Sequence, residues 1–192
     1  CPSRDSGPVS LHKEGRERAW LETPTFPGRR APADNRMVQK GDLMIDGVQI
    51  IPLRTILDER GLVRHMMRST DPHFAQFGEI YFSQIFPGAI KAWHVHRKME
   101  LNYAVISGNI KLVLYDDRPA SPTHKELQEI FMGVDNYVLV KVPPHVINGF
   151  KAIGNEKAIV ANCATIPHDP SEIERLDPFD KRIGYKWDIR NG

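Results

Sequence analysis

Two histidines and a glutamate, His94, His96 and Glu100, lie within one short stretch of the sequence that begins at Gly88 and ends at Gly108. An imidazole has an unperturbed pKa of about 6.5, so it can take up or release a proton near neutral pH. Imidazole and carboxylate side chains are also ligands of transition metals. The stretch therefore predicts a functional site, built either for acid–base chemistry or for a metal.

A four-ligand metal site would need one more donor from the second half of the chain. The candidate position holds Asn148, whose amide is a poor ligand for transition metals, and His145 lies three residues earlier. A divalent transition metal held by His94, His96 and Glu100 is therefore the alternative, and a site without metal is the main hypothesis.

The stretch itself predicts a strand, a charged bend and a second strand, the latter over the apolar run 101–105. Alternate side chains of a strand share a face. His94 and His96 should therefore point to one side of the first strand, and Trp93 and Val95 to the other. Glu100 lies beyond the bend and is able to return to the histidine face.

Further short strands are predicted along the rest of the chain. They cover residues 48–53, 62–67, 79–86, 110–115, 137–142 and 158–165, and residues 124–132 form either a helical turn or a polar strand. Short strands at roughly ten-residue spacing, with almost no helical periodicity, predict an all-β protein, a barrel or sandwich of jelly-roll type.

Composition narrows the class of protein. The chain has 192 residues, of which 41% are hydrophobic and 26% charged, as expected of one globular domain. Residues 1–40 carry eight Lys or Arg and five Asp or Glu, which leaves 18 and 19 for the remainder, so the body is nearly neutral. We expect an extended or disordered leader over 1–40, possibly non-native, and a folded domain over 41–192. Because the body is nearly neutral, we expect no nucleic-acid partner. The sequence has no long apolar run and no signal pattern, so we expect no membrane partner and a cytoplasmic location.

Five ordered segments carry a resemblance to a known family. The stretch 88–108 is similar to the first motif of the cupins, and within the cupins the chain resembles the RmlC-like sugar-nucleotide branch, the dTDP-4-dehydrorhamnose 3,5-epimerase family. The five segments are DERG at 58–61, GAIKAWH at 88–94, DRPASPT at 117–123, VPPHVINGF at 142–150 and DPFDKRIGYKW at 177–187. The resemblance implies a cupin jelly-roll β-barrel that binds a nucleotide-linked 4-keto-6-deoxy sugar and inverts carbons beside the ketone.

The resemblance also implies roles for particular residues. His94 occupies the position of the catalytic base, and Asp177 that of the carboxylate that orients it. Lys91 stands where a cationic side chain contacts the substrate, and Arg60 matches the arginine that holds the nucleotide phosphates. Guanidinium groups suit phosphate, which they bind in bidentate fashion.

Other positions differ from the family pattern. His168 stands in place of the tyrosine acid, Asn148 in place of a histidine, and His96 where glutamine is more frequent. These residues and Glu79 are predicted to contact the substrate or, for His168, to donate a proton. A related sugar nucleotide, or inversion at a single carbon, is therefore as consistent with the sequence as the family's double inversion.

The resemblance further implies a homodimer and no cofactor. Two other hypotheses stay open at this point. One is the metal-binding cupin, and the other is a barrel that binds a sugar nucleotide without turning it over.

Overall fold

The computed structural model describes residues 44–188, which form twelve β-strands. These are β1 Gln49–Pro52, β2 Thr55–Asp58, β3 Gly61–Arg64, β4 Glu79–Ile85, β5 Ile90–His96, β6 Leu101–Ser107, β7 Asn109–Asp116, β8 Leu127–Gly133, β9 Val138–Val142, β10 Val146–Ile153, β11 Ala158–Ala164 and β12 Ile173–Arg175. The described residues include no helix long and apolar enough to cross a membrane. The predicted leader and the domain boundary at residue 40 lie outside the described residues.

Ten of the strands form two antiparallel sheets of five. The first sheet has the order β1-β9-β6-β11-β4 and the second has the order β12-β5-β10-β7-β8, while β2 and β3 form a separate hairpin. Apart from β7 and β8, strands that are neighbours in these two sheets are not consecutive in the sequence, as in a jelly roll. The predicted all-β cupin jelly-roll barrel is confirmed.

The hydrophobic core lies between the two sheets, and β7 shows how the sequence builds it. Ile110, Leu112 and Leu114 alternate along the strand and pack into the core. The intervening Val113 and Tyr115 belong to a second apolar cluster on the outer face of the same sheet. There the C-terminal segment covers β7, which explains why almost the whole strand is buried.

Strand predictions were right where apolar alternation was strong. The hairpin turn at 58–61 is confirmed, and residues 127–133 form a strand rather than a helical turn. The prediction missed β10, whose Asn148-Gly149 pair is typical of a turn. It also missed the three-residue strand β12.

A close approach at Gly149 sets β10 against β5, the strand that carries both histidines. A Cβ atom built on Gly149 would lie 2.4 Å from the Cβ atom of Ala92. Gly149 also coincides with a register shift between the two strands, from Asn148 to Phe150. A residue without a side chain is therefore required at this position.

The segment between β7 and β8, which carries the DRPASPT motif, has a structural role. The Asp116 carboxylate, fully buried, accepts hydrogen bonds from Arg118 (Nε 2.7 Å), Thr123 (Oγ1 2.6 Å) and Ser121 (Oγ 2.5 Å). Burial by itself would raise the pKa of Asp116, but these hydrogen bonds outweigh it and hold the pKa well below its usual range. The DRPASPT segment thus ties the β7–β8 turn together and lies away from the candidate site.

Candidate active site

A cavity of about 430 Å³ opens among β4, β5, β6, β10 and β11 and the segment that leads into β12. Apolar side chains form part of its wall, among them Met99, Phe150, Val160 and Ile173. Its other walls carry titratable side chains. The cavity therefore combines a surface for an organic ring with groups that can move protons or bind anions.

His94 and His96 both line this cavity, as the alternation of β5 predicted. Trp93 and Val95 lie on the opposite face of the strand. Trp93 is completely buried there and packs on Trp187, with 4.9 Å between ring centroids. The aromatic packing outside the sheet thus fixes the strand whose inner face carries the histidines.

His94 is half-buried and surrounded by positive charge. Burial, followed by the charges of Arg175, His96 and Lys91, lowers the pKa of His94 from 6.5 to about 4. A neutral imidazole has a free nitrogen lone pair, so His94 is able to accept a proton at neutral pH.

Two cationic side chains flank His94. Lys91, on the same strand, donates a hydrogen bond from Nζ to Ser83 Oγ at 2.8 Å. Arg175 on β12 pairs in register with His94 and also lines the cavity. Among the described residues, no carboxylate forms an ion pair with either cation, which leaves both available to an anion.

Two tyrosines stand across the cavity. The Tyr81 hydroxyl accepts a hydrogen bond from Asn162 Nδ2 at 2.9 Å, and the Tyr103 hydroxyl donates one to Asn148 Oδ1 at 3.2 Å. Burial raises the pKa of Tyr81, although the bond from Asn162 opposes it, and burial raises that of Tyr103 well above 10. Both hydroxyls therefore keep their protons at neutral pH.

Several predicted substrate contacts are brought together. Glu79, Lys91, His96 and His168 all line the cavity. Asn148 does not line the cavity, because its side chain is completely buried. Its Nδ2 donates a hydrogen bond to the His94 carbonyl at 3.1 Å, and its Oδ1 accepts one from the Tyr103 hydroxyl. Its role is to hold the wall of the cavity, so the prediction of a direct contact is corrected.

Asp177, predicted to orient His94, lies outside the cavity. Its carboxylate accepts the backbone N–H of Phe179 at 2.7 Å, and its carbonyl accepts that of Asp180 at 2.9 Å. Aspartate before proline often caps a turn in this way, and here the turn uses the carboxylate. The predicted His94–Asp177 dyad is not formed.

Arg60, predicted to hold phosphates, is also outside the cavity of its own chain. It lies at the tip of the β2–β3 hairpin, with a side chain 76% exposed and paired with Asp58 at 2.6 Å. The sequence motif DERG therefore closes a hairpin by a local ion pair.

The predicted metal ligands do not converge. Glu100 forms an ion pair with Lys141 at 3.0 Å and does not line the cavity with His94 and His96. Within residues 44–188, no cluster of three or more His, Cys, Asp or Glu side chains is arranged to hold a metal ion. The donor set therefore does not fit a metal.

Sequence analysis did not identify Arg175 or Tyr81 as residues of the site, and it also missed Glu172. Its carboxylate meets Nδ1 of His96 in a short hydrogen bond, and the pair is buried on both sides. The two residues are 76 positions apart. Only the pairing of β12 with β5 brings them together, and β12 is too short to be recognised from sequence.

Comparison with known sequences and structures is consistent with this geometry. A sequence model described as dTDP-4-dehydrorhamnose 3,5-epimerase matches residues 42–191. The chain is 32% identical over 146 residues to the spore coat polysaccharide biosynthesis protein SpsL of Bacillus subtilis. The aligned region covers 75% of this chain and 97% of the relative.

Two further relatives extend the match. The probable low-salt glycan biosynthesis epimerase Agl13 of Haloferax volcanii is 34% identical over 143 residues, 73% of this chain and 88% of the relative. The crystal structure of a dTDP sugar isomerase from Desulfovibrio desulfuricans is 45% identical and superimposes with a TM-score of 0.73 over 74% of this chain and 92% of that one. The chain belongs to the dTDP-4-dehydrorhamnose 3,5-epimerase family.

Proposed function

We propose that the chain is an epimerase or isomerase of a nucleotide-linked 4-keto-6-deoxy sugar. Membership of the family supports the class of reaction and the class of substrate. One structural observation carries the proposal: a neutral imidazole, His94, lies between two cations on the wall of a cavity large enough for a sugar.

The reaction begins when His94 removes a proton from a carbon next to the ketone. Positioned bases of this kind contribute typically 10² to 10⁴-fold to the rate. The electron pair of the broken C–H bond moves toward the ketone oxygen and gives an enolate. Lys91 places positive charge beside His94, where negative charge develops, and preorganised charge of this kind stabilises a transition state.

Inversion requires that a proton return to the opposite face of the same carbon. His168 lies at the exposed rim of the cavity, in the loop before β12, and is the proposed donor. Because His168 belongs to a different segment from His94, the two imidazoles approach the substrate from different directions.

Arg175 is the proposed site for the diphosphate of the nucleotide. Arg175 carries a guanidinium group, which matches phosphate oxygens in a bidentate geometry. It takes over in this chain the phosphate contact that the sequence had assigned to Arg60. Glu79 and Ser83, on β4, are placed to bind sugar hydroxyl groups.

The proposed reaction uses no cofactor. Proton transfer between imidazoles and carbon needs none, and the residues predicted as metal ligands are held in other contacts, Glu100 by Lys141. A chelator is therefore expected to leave the activity unchanged.

A homodimer is part of the proposal. The edge strand β4 exposes Ile80 and Phe82, and the β2–β3 hairpin exposes Leu57, Leu62 and Val63. Exposed apolar strands at a sheet edge are usually covered by another chain. Light scattering at micromolar concentration should give twice the mass of the chain. The predicted cytoplasmic location stays a proposal that cell fractionation would test.

The function is tested by exchange of substrate protons with solvent. Incubation of the wild-type chain with dTDP-4-keto-6-deoxyglucose in deuterated water should add deuterium beside the ketone, measured by mass spectrometry. His94→Gln should lower the rate by at least about a hundredfold, because the base is lost. His124→Gln, which changes an exposed histidine remote from the cavity wall, is the matched control. A His94→Gln variant that exchanges at the wild-type rate would refute the assignment.

A further inference from the structure

The contact between His96 and Glu172 is more elaborate than a single hydrogen bond. His96 ends β5 with 6% of its surface exposed, and Glu172 lies just before β12 with 4% exposed. One carboxylate oxygen, Oε1, faces Nδ1 of the imidazole. The other, Oε2, accepts three successive backbone N–H groups, those of Arg97 and Lys98 at 3.0 Å and that of Met99 at 3.4 Å.

These bonds keep the carboxylate ionised and fix its direction. Burial alone would raise the pKa of Glu172, but the hydrogen bonds from His96 and from the backbone of Lys98 and Met99 outweigh it and lower the pKa. An ionised carboxylate only accepts hydrogen bonds, so Nδ1 of His96 must carry a proton. The tautomer of His96 is thereby set by Glu172.

The second ring nitrogen, Nε2 of His96, is left for the cavity. It forms no hydrogen bond with any residue in the described part of the chain. This nitrogen is also accessible rather than buried. Across residues 44–188, the only buried side-chain nitrogen or oxygen atoms without a hydrogen-bond partner are His73 Nε2 and Asn102 Oδ1, and His96 Nε2 is not among them. His96 itself lines the cavity.

The two histidines of β5 therefore have opposite environments. His94 lies among cations, which disfavour its charged form, whereas His96 donates a hydrogen bond from Nδ1 to the fixed carboxylate of Glu172. One imidazole beside cations and one beside a carboxylate are able to divide the roles of base and acid in one site. Alternate residues of a strand are about 7 Å apart, so one small substrate reaches both.

We propose that His96, positioned by Glu172, is the general acid that protonates the ketone oxygen while His94 removes the neighbouring carbon proton. The proposal rests on the proposed function and adds a residue to it. The C–H bond breaks and its proton goes to His94. Its electron pair forms the carbon–carbon double bond, and the carbonyl π pair takes the Nε2 proton of His96, which starts the step with a proton on each ring nitrogen. The products are an enol, a protonated His94 and a neutral His96, so charge and protons balance.

Glu172 acts through His96 and is a positioning residue. Glu172→Gln is a sharp test, because the amide oxygen still accepts the backbone N–H groups of the bend. The amide nitrogen, however, donates to Nδ1, so His96 takes the other tautomer and loses its anionic partner. We expect kcat for deuterium exchange to fall on the order of a hundredfold, with KM nearly unchanged.

The comparison of kcat with KM separates this role from a structural one. A variant that only distorts the cavity wall binds the substrate less well and raises KM, whereas loss of the acid lowers kcat and leaves KM nearly unchanged. The other titratable or charged side chains that line the cavity are Glu79, Tyr81, Lys91, Tyr103, His168 and Arg175. None of them changes in this variant.

Glu174→Gln is the matched control. Glu174 is exposed on β12, the strand that follows Glu172, and lies outside the cavity, so its loss should alter neither kcat nor KM. His96→Gln is a second variant, which tests the same role if Glu172→Gln does not fold. Its kcat should fall by the same factor as that expected of Glu172→Gln.

The outcomes distinguish this proposal from the function on which it rests. A folded Glu172→Gln or His96→Gln variant with wild-type kcat would overturn the acid role alone. Wild-type protein that exchanges no deuterium would refute the proposed function and the acid role together. A fall in kcat accompanied by a rise in KM of similar size would reduce Glu172 to a structural support and also overturn the proposal.

Discussion

Replacing His94 by glutamine should make the folded chain more resistant to acid. Burial, together with the charges of Arg175, His96 and Lys91, lowers the pKa of His94 from 6.5 to about 4 in the folded chain. Unfolding removes both causes. Between pH 4 and 6.5 the unfolded chain therefore binds a proton at His94 that the folded chain does not bind, so stability rises with pH across this window and is lost as the pH falls.

The magnitude follows from the two pKa values. One pKa unit corresponds to about 1.4 kcal/mol, so the full difference is about 3 kcal/mol. At pH 4.5 most of this penalty is present, and at pH 7 almost none. Because His94 is only half-buried, solvent screens part of the effect, and we expect about 2 kcal/mol between the two pH values.

Urea unfolding measures the effect directly. The free energy of unfolding of the wild type and of His94→Gln is compared at pH 7.0 and at pH 4.5. Other acid-sensitive groups, such as Asp116, contribute equally to both proteins, so the difference between the two losses isolates His94. His124→Gln should retain the wild-type acid sensitivity. If His94→Gln loses as much stability as the wild type, His94 is not held neutral by its surroundings, and its role as a base lacks support.

Four further predictions concern the fold and the site. Asp116→Asn should lower the free energy of unfolding at pH 7 by about 3 kcal/mol, since it breaks a buried charged network. In the wild type this contribution is present above about pH 4 and is lost as the pH falls further. Urea unfolding of the wild type at a series of acidic pH values would show the loss. His145→Gly should raise the free energy of unfolding by up to about 1 kcal/mol, because His145 has a φ of 66°, while His145→Ala should give no gain. Gly149→Ala should cost about 2 kcal/mol through the close contact with Ala92, and a wild-type unfolding midpoint would contradict that reasoning. A chelator should leave deuterium exchange at the wild-type rate, and an inhibited enzyme would revive the metal hypothesis built on Glu100.

The fold was largely predictable because its signals are local. A two-residue period places His94 and His96 on one face and Trp93 on the other, and the structure confirms this arrangement. Strand β10 escaped prediction since its Asn148-Gly149 pair favours a turn, yet β5 and β7 on either side impose the extended conformation. In this case tertiary pairing outweighs local preference.

The site was only partly predictable because its pairings are distant in sequence. Residues of β4 and β5, such as Glu79 and Lys91, were placed correctly by their motifs and their strands. Asp177 was wrongly assigned as the partner of His94, since the following turn uses its carboxylate. Glu172 was missed because nothing near it in the sequence indicates that β12 lies beside β5.

The central claim is that this cavity breaks a carbon–hydrogen bond next to a ketone. The most direct test is to follow the wild-type chain with dTDP-4-keto-6-deoxyglucose in deuterated water by proton NMR. The account predicts that the signal of a proton beside the ketone disappears, at a rate proportional to enzyme concentration, while distant sugar and base protons keep their intensity. If the sugar nucleotide binds, as seen by broadening of its signals, and those protons nevertheless persist, the chain is a binding protein and the account is contradicted.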